Sequence, residues 1–218
     1  NGLVDQFPVG SILYNLEQYS SSSMKGLISC ELAAERFQVW DYSLSNINRW
    51  IELNPKFPVY YAKVSFSPSL VKLPFLSEDI DICFIGSVYG NRSEKIRKCA
   101  AGKNFNSLIT LGNVWGNQRD EFIARSKVLL NVSTDMPDLN IYEIARTSFY
   151  IANKKAVISE LIPGLEIEED LRKVLQLVPS SDLESACDEF VHDDLKRKKY
   201  AQDCYDVFST RDVRDVIR

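Results

Sequence analysis

The sequence predicts an α/β fold: a Rossmann-like, doubly wound parallel sheet preceded by a smaller α/β portion. Three observations carry this. From residue 80 onward, short apolar runs alternate regularly with stretches of helical spacing, the rhythm of right-handed strand–helix–strand crossovers. Runs such as Val128-Leu129-Leu130 are apolar at consecutive positions, as in strands covered on both faces. The two prolines at 68 and 74 bound a linker that separates this regular part from a shorter one.

The elements follow in order. Residues 11–18 read as a strand ending in polar residues, closed by the serine run at 20–23. Leu27, Ile28, Leu32, Ala33 and Phe37 give helical spacing over 24–38. Val39-Trp40-Asp41-Tyr42-Ser43 is a short strand, 45–53 a helix and 58–64 a strand. In the second part the predicted strands are 80–85, 107–111, 128–132, 156–159 and 174–178. The predicted helices are 92–101, 118–126, 141–152, 181–191 and 193–208. A boundary near residue 75 divides a partial α/β lobe, 1–75, from a nearly complete Rossmann-like lobe, 76–218.

Composition narrows the function. The net charge of −4 argues against a nucleic-acid partner, because phosphate backbones require a basic face. The basic run Lys196-Arg197-Lys198-Lys199 sits among acids and reads as a solvated helix face. Five cysteines, an odd number with no CxxC pair, fit a reducing, cytoplasmic compartment better than a disulfide framework. The Asn91-Arg92-Ser93 and Asn131-Val132-Ser133 sequons are explained by turn chemistry. No apolar stretch approaches the ~20 residues of a membrane span.

In open parallel sheets, ligands bind beyond the carboxyl ends of the strands, which ranks the loops. The first is Gly86-Ser87-Val88-Tyr89-Gly90-Asn91-Arg92-Ser93, between a strand and a helix. Its glycines permit close approach of a phosphate, the helix start favours negative charge, and Arg92 and Lys95 add cations. It is equally readable as a tight turn in which Asn91 caps the helix with Glu94 as capping-box partner. It is neither a Walker loop nor GxGxxG. The second loop, 133–140, feeds the helix Ile141-Tyr142-Glu143-Ile144-Ala145-Arg146. Glu143 and Arg146 stand one turn apart. In one reading Asn140 caps the helix, Glu143 completes a capping box and Arg146 pairs with it. In the other, Glu143 binds a ribose while the helix start and Arg146 meet a diphosphate.

Two further signals point away from function. Asp79-Ile80-Asp81 spells D-x-D, but it opens a strand at the end remote from ligand and reads as turn chemistry rather than a metal site. His192 is the only histidine and lies in a charged helical stretch, so a histidine-based hydrolase triad is not expected. Zinc-ligand spacing is absent as well.

Several segments recur in order. They are Tyr14-Asn15-Leu16-Glu17-Gln18, Trp40-Asp41-Tyr42-Ser43-Leu44-Ser45-Asn46, Asp81-Ile82-Cys83-Phe84-Ile85-Gly86-Ser87 and Ala124-Arg125-Ser126-Lys127-Val128-Leu129-Leu130-Asn131. Then follow Tyr142-Glu143-Ile144-Ala145-Arg146 and Ala152-Asn153-Lys154-Lys155-Ala156-Val157-Ile158-Ser159-Glu160. Together, over about residues 11–205, the set resembles the spore-maturation-type and related group 1-like glycosyltransferases of the GT-B class. That resemblance implies two Rossmann-like lobes facing across a cleft, the first, 1–75, on the acceptor side and the second, 76–218, holding a nucleotide-diphosphate sugar without a metal or other cofactor. It implies transfer of a hexosyl or deoxyhexosyl group to a glycan or other hydroxyl acceptor. Carried over by position, Gly86, Ser87, Gly90, Arg92, Tyr142, Glu143 and Arg146 line the donor site. Arg125 and Lys127 match a recurring segment with an open role. Glu17 and Asp41, near strand ends of the first part, are the candidate catalytic bases. GT-B proteins usually exceed 300 residues, so the resemblance also implies a minimal form or a module with neighbouring domains. Multidomain glycan-building proteins of large DNA viruses carry such modules. The alternative is a non-catalytic nucleotide- or glycan-binding module.

Overall fold

The computed structural model describes residues 6–18, 30–88, 90–101, 104–110, 112, 114–134 and 140–216. The chain divides into two compact units, Asn1–Val64 with Met136–Ile141, and Ser65–Asp135 with Tyr142–Arg218.

The N-terminal unit is built on a parallel sheet of β1 (Ile12–Asn15), β2 (Gln38–Asp41) and β3 (Val59–Tyr61), in the order β1-β2-β3. Helix α1 (Cys30–Arg36) connects to β2, and α2 (Leu44–Glu52) to β3. The expected helix over 24–38 is present as α1; residues 24–29 and the serine run at 20–23 lie outside the described residues. Strand alternation turns Leu13, Val39 and Val59 to one face, where they pack with Cys30, Ala33, Phe37 and Trp50. Ser43 starts α2 by accepting the backbone N–H of Asn46, a side-chain cap of the usual kind.

The C-terminal unit holds five parallel strands: β4 (Ile80–Phe84), β5 (Ser107–Ile109), β6 (Ser126–Asn131), β7 (Ala156–Glu160) and β8 (Gln176–Val178). Their spatial order is β5-β4-β6-β7-β8, so the sequence of connections reverses direction between β4 and β6. Helices α3 (Arg92–Ala101), α4 (Gly116–Arg125) and α5 (Ile144–Ala152) provide the crossovers. A short α6 (Glu169–Arg172), absent from the sequence reading, precedes β8; α7 (Leu183–His192) and α8 (Asp194–Ser209) close the unit. Ile82, Phe84, Val128, Leu130 and Ile158 pack against Ile96 and Cys99 of α3 and Leu183, Cys187 and Phe190 of α7. The intervening positions Cys83, Leu129 and Val157 are equally buried. A sheet covered on both faces explains the unbroken apolar strands. All five cysteines are buried free thiols, and burial pushes Cys83 up to about 11.

Residues 65–75, placed with the first part by the sequence reading, pack with the C-terminal unit. Phe66 exchanges backbone hydrogen bonds with Arg211 and Val213. Asn153, at the end of α5, accepts the N–H groups of Lys72 and Leu73 through Oδ1 at 3.0 Å and donates to the Leu70 carbonyl through Nδ2. The prolines therefore bound a strap held by hydrogen bonds.

Helix α5 also departs from expectation. It starts at Ile144, three residues after the predicted start, because the preceding backbone is drawn into tertiary hydrogen bonds: Tyr142 N–H donates to the Glu166 carbonyl at 2.9 Å. Glu143 occupies the N-cap position and makes no side-chain capping bond. The expected capping box, with Asn140 as cap and Glu143 in the third position, is thereby corrected.

Candidate functional site

The reversal between β4 and β6 is the topological switch point, where open parallel sheets leave a crevice for ligand. The loops leaving these strands are 85–91 and 132–143, of which Tyr89 and 135–139 lie outside the described residues.

After β4 the chain passes Gly86, whose N–H donates to Thr110 Oγ1 at 3.3 Å. A Cβ here would stand 3.2 Å from the Phe84 ring and 3.8 Å from the Arg146 guanidinium carbon, so glycine keeps a shallow recess between them. Gly90 sits at φ +60°, a left-handed conformation that favours glycine. Exposed Ser87 gives its carbonyl to Arg92 Nη1 at 3.1 Å. Arg92 itself is buried, so this cation braces the loop as well as charging it. Lys95 is pledged to Glu160 at the end of β7, at 2.7 Å. The other Glu160 oxygen accepts the Ser133 N–H at 3.0 Å, which ties the second loop to the sheet.

From the α5 side, Arg146 reaches back over the same recess. Its guanidinium carbon lies 6.0 Å from the Phe84 ring centre, and that of Arg92 lies at the same distance. Arg146 Nη2 is 3.7 Å from Glu143, while its Nη1 is buried with no hydrogen-bond partner. At the end of β6, buried Asn131 likewise leaves Oδ1 without a partner, although its Nδ2 reaches Ser159 at 3.5 Å. Tyr142 points inward: its hydroxyl contacts Ser159 Oγ at 3.1 Å, and burial pushes it up to about 12. It supports the edge rather than lining it.

The structure thus brings together Gly86, Arg92, Glu143 and Arg146 from the sequence reading. It adds Thr110, Asn131 and Glu160, which the sequence reading passed over. Asn131 and Glu160 end two recognised strands, so the rule that ligands gather at carboxyl ends had the means to find them.

The remaining candidates fall elsewhere. In the N-terminal unit, Asp41 ends β2 fully buried, and its carboxylate accepts Asn15 Nδ2 (2.6 Å), Ser43 N–H (2.9 Å), Asn46 Nδ2 (3.0 Å) and Trp50 Nε1 (2.9 Å). Burial raises its pKa against the pull of these four bonds. The candidate base is instead the centre of a structural knot. Glu17 has an exposed side chain, and its carbonyl accepts Asn15 and Asn46 in the same knot. At the amino end of β4, Arg125 grips Asp79 with two bonds, at 2.8 and 2.7 Å, and Lys127 holds Asp81 at 2.7 Å. This gives Arg125 and Lys127 a structural role and accounts for the D-x-D pair. His192 lies exposed beside Asp188. Among the described residues, no cluster of metal-ligating side chains occurs, and no helix is long and apolar enough to cross a membrane.

No protein-family model matches the chain, and no curated protein matches it. Solved structures do. The Anabaena protein Alr3699/HepE, in complex with UDP and glucose, superposes with a TM-score of 0.66 at 13% identity, covering 95% of this chain and 69% of that one. A DNA-modifying β-glucosyltransferase, described with and without uridine diphosphoglucose, gives 0.55 at 12%, covering 92% and 69%. TarM gives 0.52 at 11%, covering 92% of this chain and 47% of its own. At these identities the likeness establishes the fold, a Rossmann-like α/β chain of the GT-B type.

Proposed function

We propose that the chain binds a nucleoside-diphosphate sugar at the carboxyl edge of its five-stranded sheet and serves as a glycosyltransferase, moving a hexosyl or deoxyhexosyl group to a glycan or other hydroxyl acceptor. The observation that carries the reading is Arg146. Its buried Nη1 has no partner, it flanks the recess at Gly86, and both lie at the switch point. A buried donor without an acceptor is costly, and a diphosphate oxygen is the acceptor its charge suits best. Asn131 Oδ1 complements it as an acceptor awaiting a hydroxyl. The UDP seen with the Anabaena protein is consistent with such a ligand.

In this reading the leaving diphosphate is stabilised by Arg146, by Arg92 and by the helix start beyond Gly90, without a metal, and Glu143 accepts hydrogen bonds from the ribose. The reading includes a cytoplasmic setting and an acceptor held by neighbouring parts of the polypeptide. Glu17, exposed at the end of β1, is the remaining candidate base.

Calorimetric titration with UDP, UDP-glucose and other nucleoside diphosphates in EDTA tests the site. Arg146→Met should keep the melting temperature and weaken binding about 10- to 150-fold, the worth of one charge-assisted bond. Equal affinity in the folded variant would remove the basis of the proposal. The knot around Asp41 favours a second reading, binding without transfer, because it withdraws one of two candidate bases. Donor hydrolysis or transfer in EDTA separates the two.

A further inference from the structure

Cys99 of α3 and Cys187 of α7 face each other across the helix pair, with their sulfurs 3.4 Å apart. At that distance the two sulfurs touch and no other atom stands between them. Both belong to the core cluster of the C-terminal unit and are almost fully buried, at 1% and 0% exposure. They are 88 positions apart in the chain and meet only because the fold packs α3 beside α7. The sulfur of Cys204, by contrast, meets the Val174 carbonyl at 3.5 Å.

A buried thiol is ordinarily inert, because oxidants do not reach it. Here one side of the pair is reachable. A cavity of about 400 Å³ opens between α3 and the start of α7, lined by Lys95, Lys98 and Cys99 on one side and by Ser181, Leu183 and Glu184 on the other. Its lining is polar, and it is many times the size of a water or a peroxide molecule. Cys187 is not part of that lining, and the neighbouring Cys99 sulfur, then burial, push its thiol well above the usual range. The two cysteines thus differ in access: Cys99 borders the cavity and Cys187 stands behind it. A disulfide holds its sulfurs about 2 Å apart, so roughly 1.4 Å remains to close, a small adjustment of two side chains.

We propose that Cys99 and Cys187 are a redox site, at which hydrogen peroxide entering the cavity converts the thiol pair to a reversible disulfide that clips α3 to α7. The Cys99 sulfur attacks one peroxide oxygen and the O–O bond breaks, leaving a sulfenic acid on Cys99 and, with the thiol proton, one water. The Cys187 sulfur then attacks the Cys99 sulfur. The S–O bond breaks, and the departing hydroxide leaves as water with the Cys187 proton. Two thiols and one peroxide give one disulfide and two waters: the sulfurs are oxidised and the peroxide is reduced. In a reducing compartment the pair rests as two thiols. Helix α3 opens with Arg92, which braces the loop at Ser87, so the clip fastens the helix behind that loop.

The test treats the folded, reduced parent protein with hydrogen peroxide, blocks remaining thiols with iodoacetamide and maps the peptides by mass spectrometry without reduction. A pair of peptides joined through Cys99 and Cys187, lighter by two hydrogens, is expected, and dithiothreitol should separate it again. The oxidised protein should melt about 5 °C or more above the reduced one, because the bond closes a long loop. Cys187→Ala should halt the reaction at the Cys99 sulfenic acid, which dimedone captures, and Cys204→Ala should form the joined peptides as the parent does. Absence of the joined peptides from the folded parent, their formation only in urea, or equal melting of the two forms would overturn the clip.

Discussion

Two strand ends, one in each unit, treat their buried polar groups in opposite ways. In the N-terminal unit, Asp41 ends a strand with four donors around one carboxylate. In the C-terminal unit, Asn131, which ends β6, and Arg146, in the first turn of α5, each have one buried atom unmatched. The amino end of β4, by contrast, is closed by ion pairs at Asp79 and Asp81. A satisfied set holds the fold together, whereas an unsatisfied one waits for something from outside.

Asp41→Ala attacks that comparison most strongly. It orphans four donors inside the N-terminal unit and should cost about 3–5 kcal/mol, read from urea denaturation. A loss below about 1 kcal/mol would mean the knot is not structural. Gly86→Val should cost about 1–3 kcal/mol, since its side chain would press on the Phe84 ring and the Arg146 guanidinium. It should also block nucleoside-diphosphate binding. A variant that binds as the parent does would reduce the loop to a turn.

Acid should divide the units. Burial raises Asp41, so its contribution is present below the ordinary carboxylate range and lost as pH rises through its folded value. At Asp81 and Asp170 burial also pulls upward, but Lys127 with the Asn106 N–H, and Arg211, outweigh it and hold both carboxyls low. Their contribution is present above about pH 4 and lost as pH falls through the lower folded values. Hydrogen exchange, corrected for intrinsic rates, should show the C-terminal unit loosening first below about pH 4. Simultaneous loosening would erase the contrast. The smallest structural effect belongs to Glu143→Gln. Glu143 makes no capping bond, so stability should move by less than about 0.5 kcal/mol. Nucleoside-diphosphate affinity should still fall several-fold, because a neutral amide is the weaker acceptor.

These contrasts also mark what the sequence could reveal. Strand positions in both units follow from local apolar runs, and β4, β6 and β7 match them closely because burial on both faces leaves a strong signal. The start of α5 was not legible: the hydrogen bond from Tyr142 to Glu166 is a contact between distant residues, and the local pattern favoured helix. Residue types at the site were visible, but their commitments were not. Arg92 and Lys95 looked like free cations until Ser87 and Glu160 were placed beside them. Asp41 resembled a base because the residues that satisfy it lie 26 positions before and up to nine after.

The pairing of Phe66 with Arg211 and Val213 has a modular consequence. The first residues of the C-terminal unit meet residues 211–213 near its last described ones, stitched by two backbone hydrogen bonds and by the Phe66 ring set edge-on to Tyr205 and Phe208. Segments attached beyond either side of that stitch can lengthen or be exchanged without pulling on the sheet. The stitch thus fastens the start and the end of the unit to each other, away from the loops of its ligand edge.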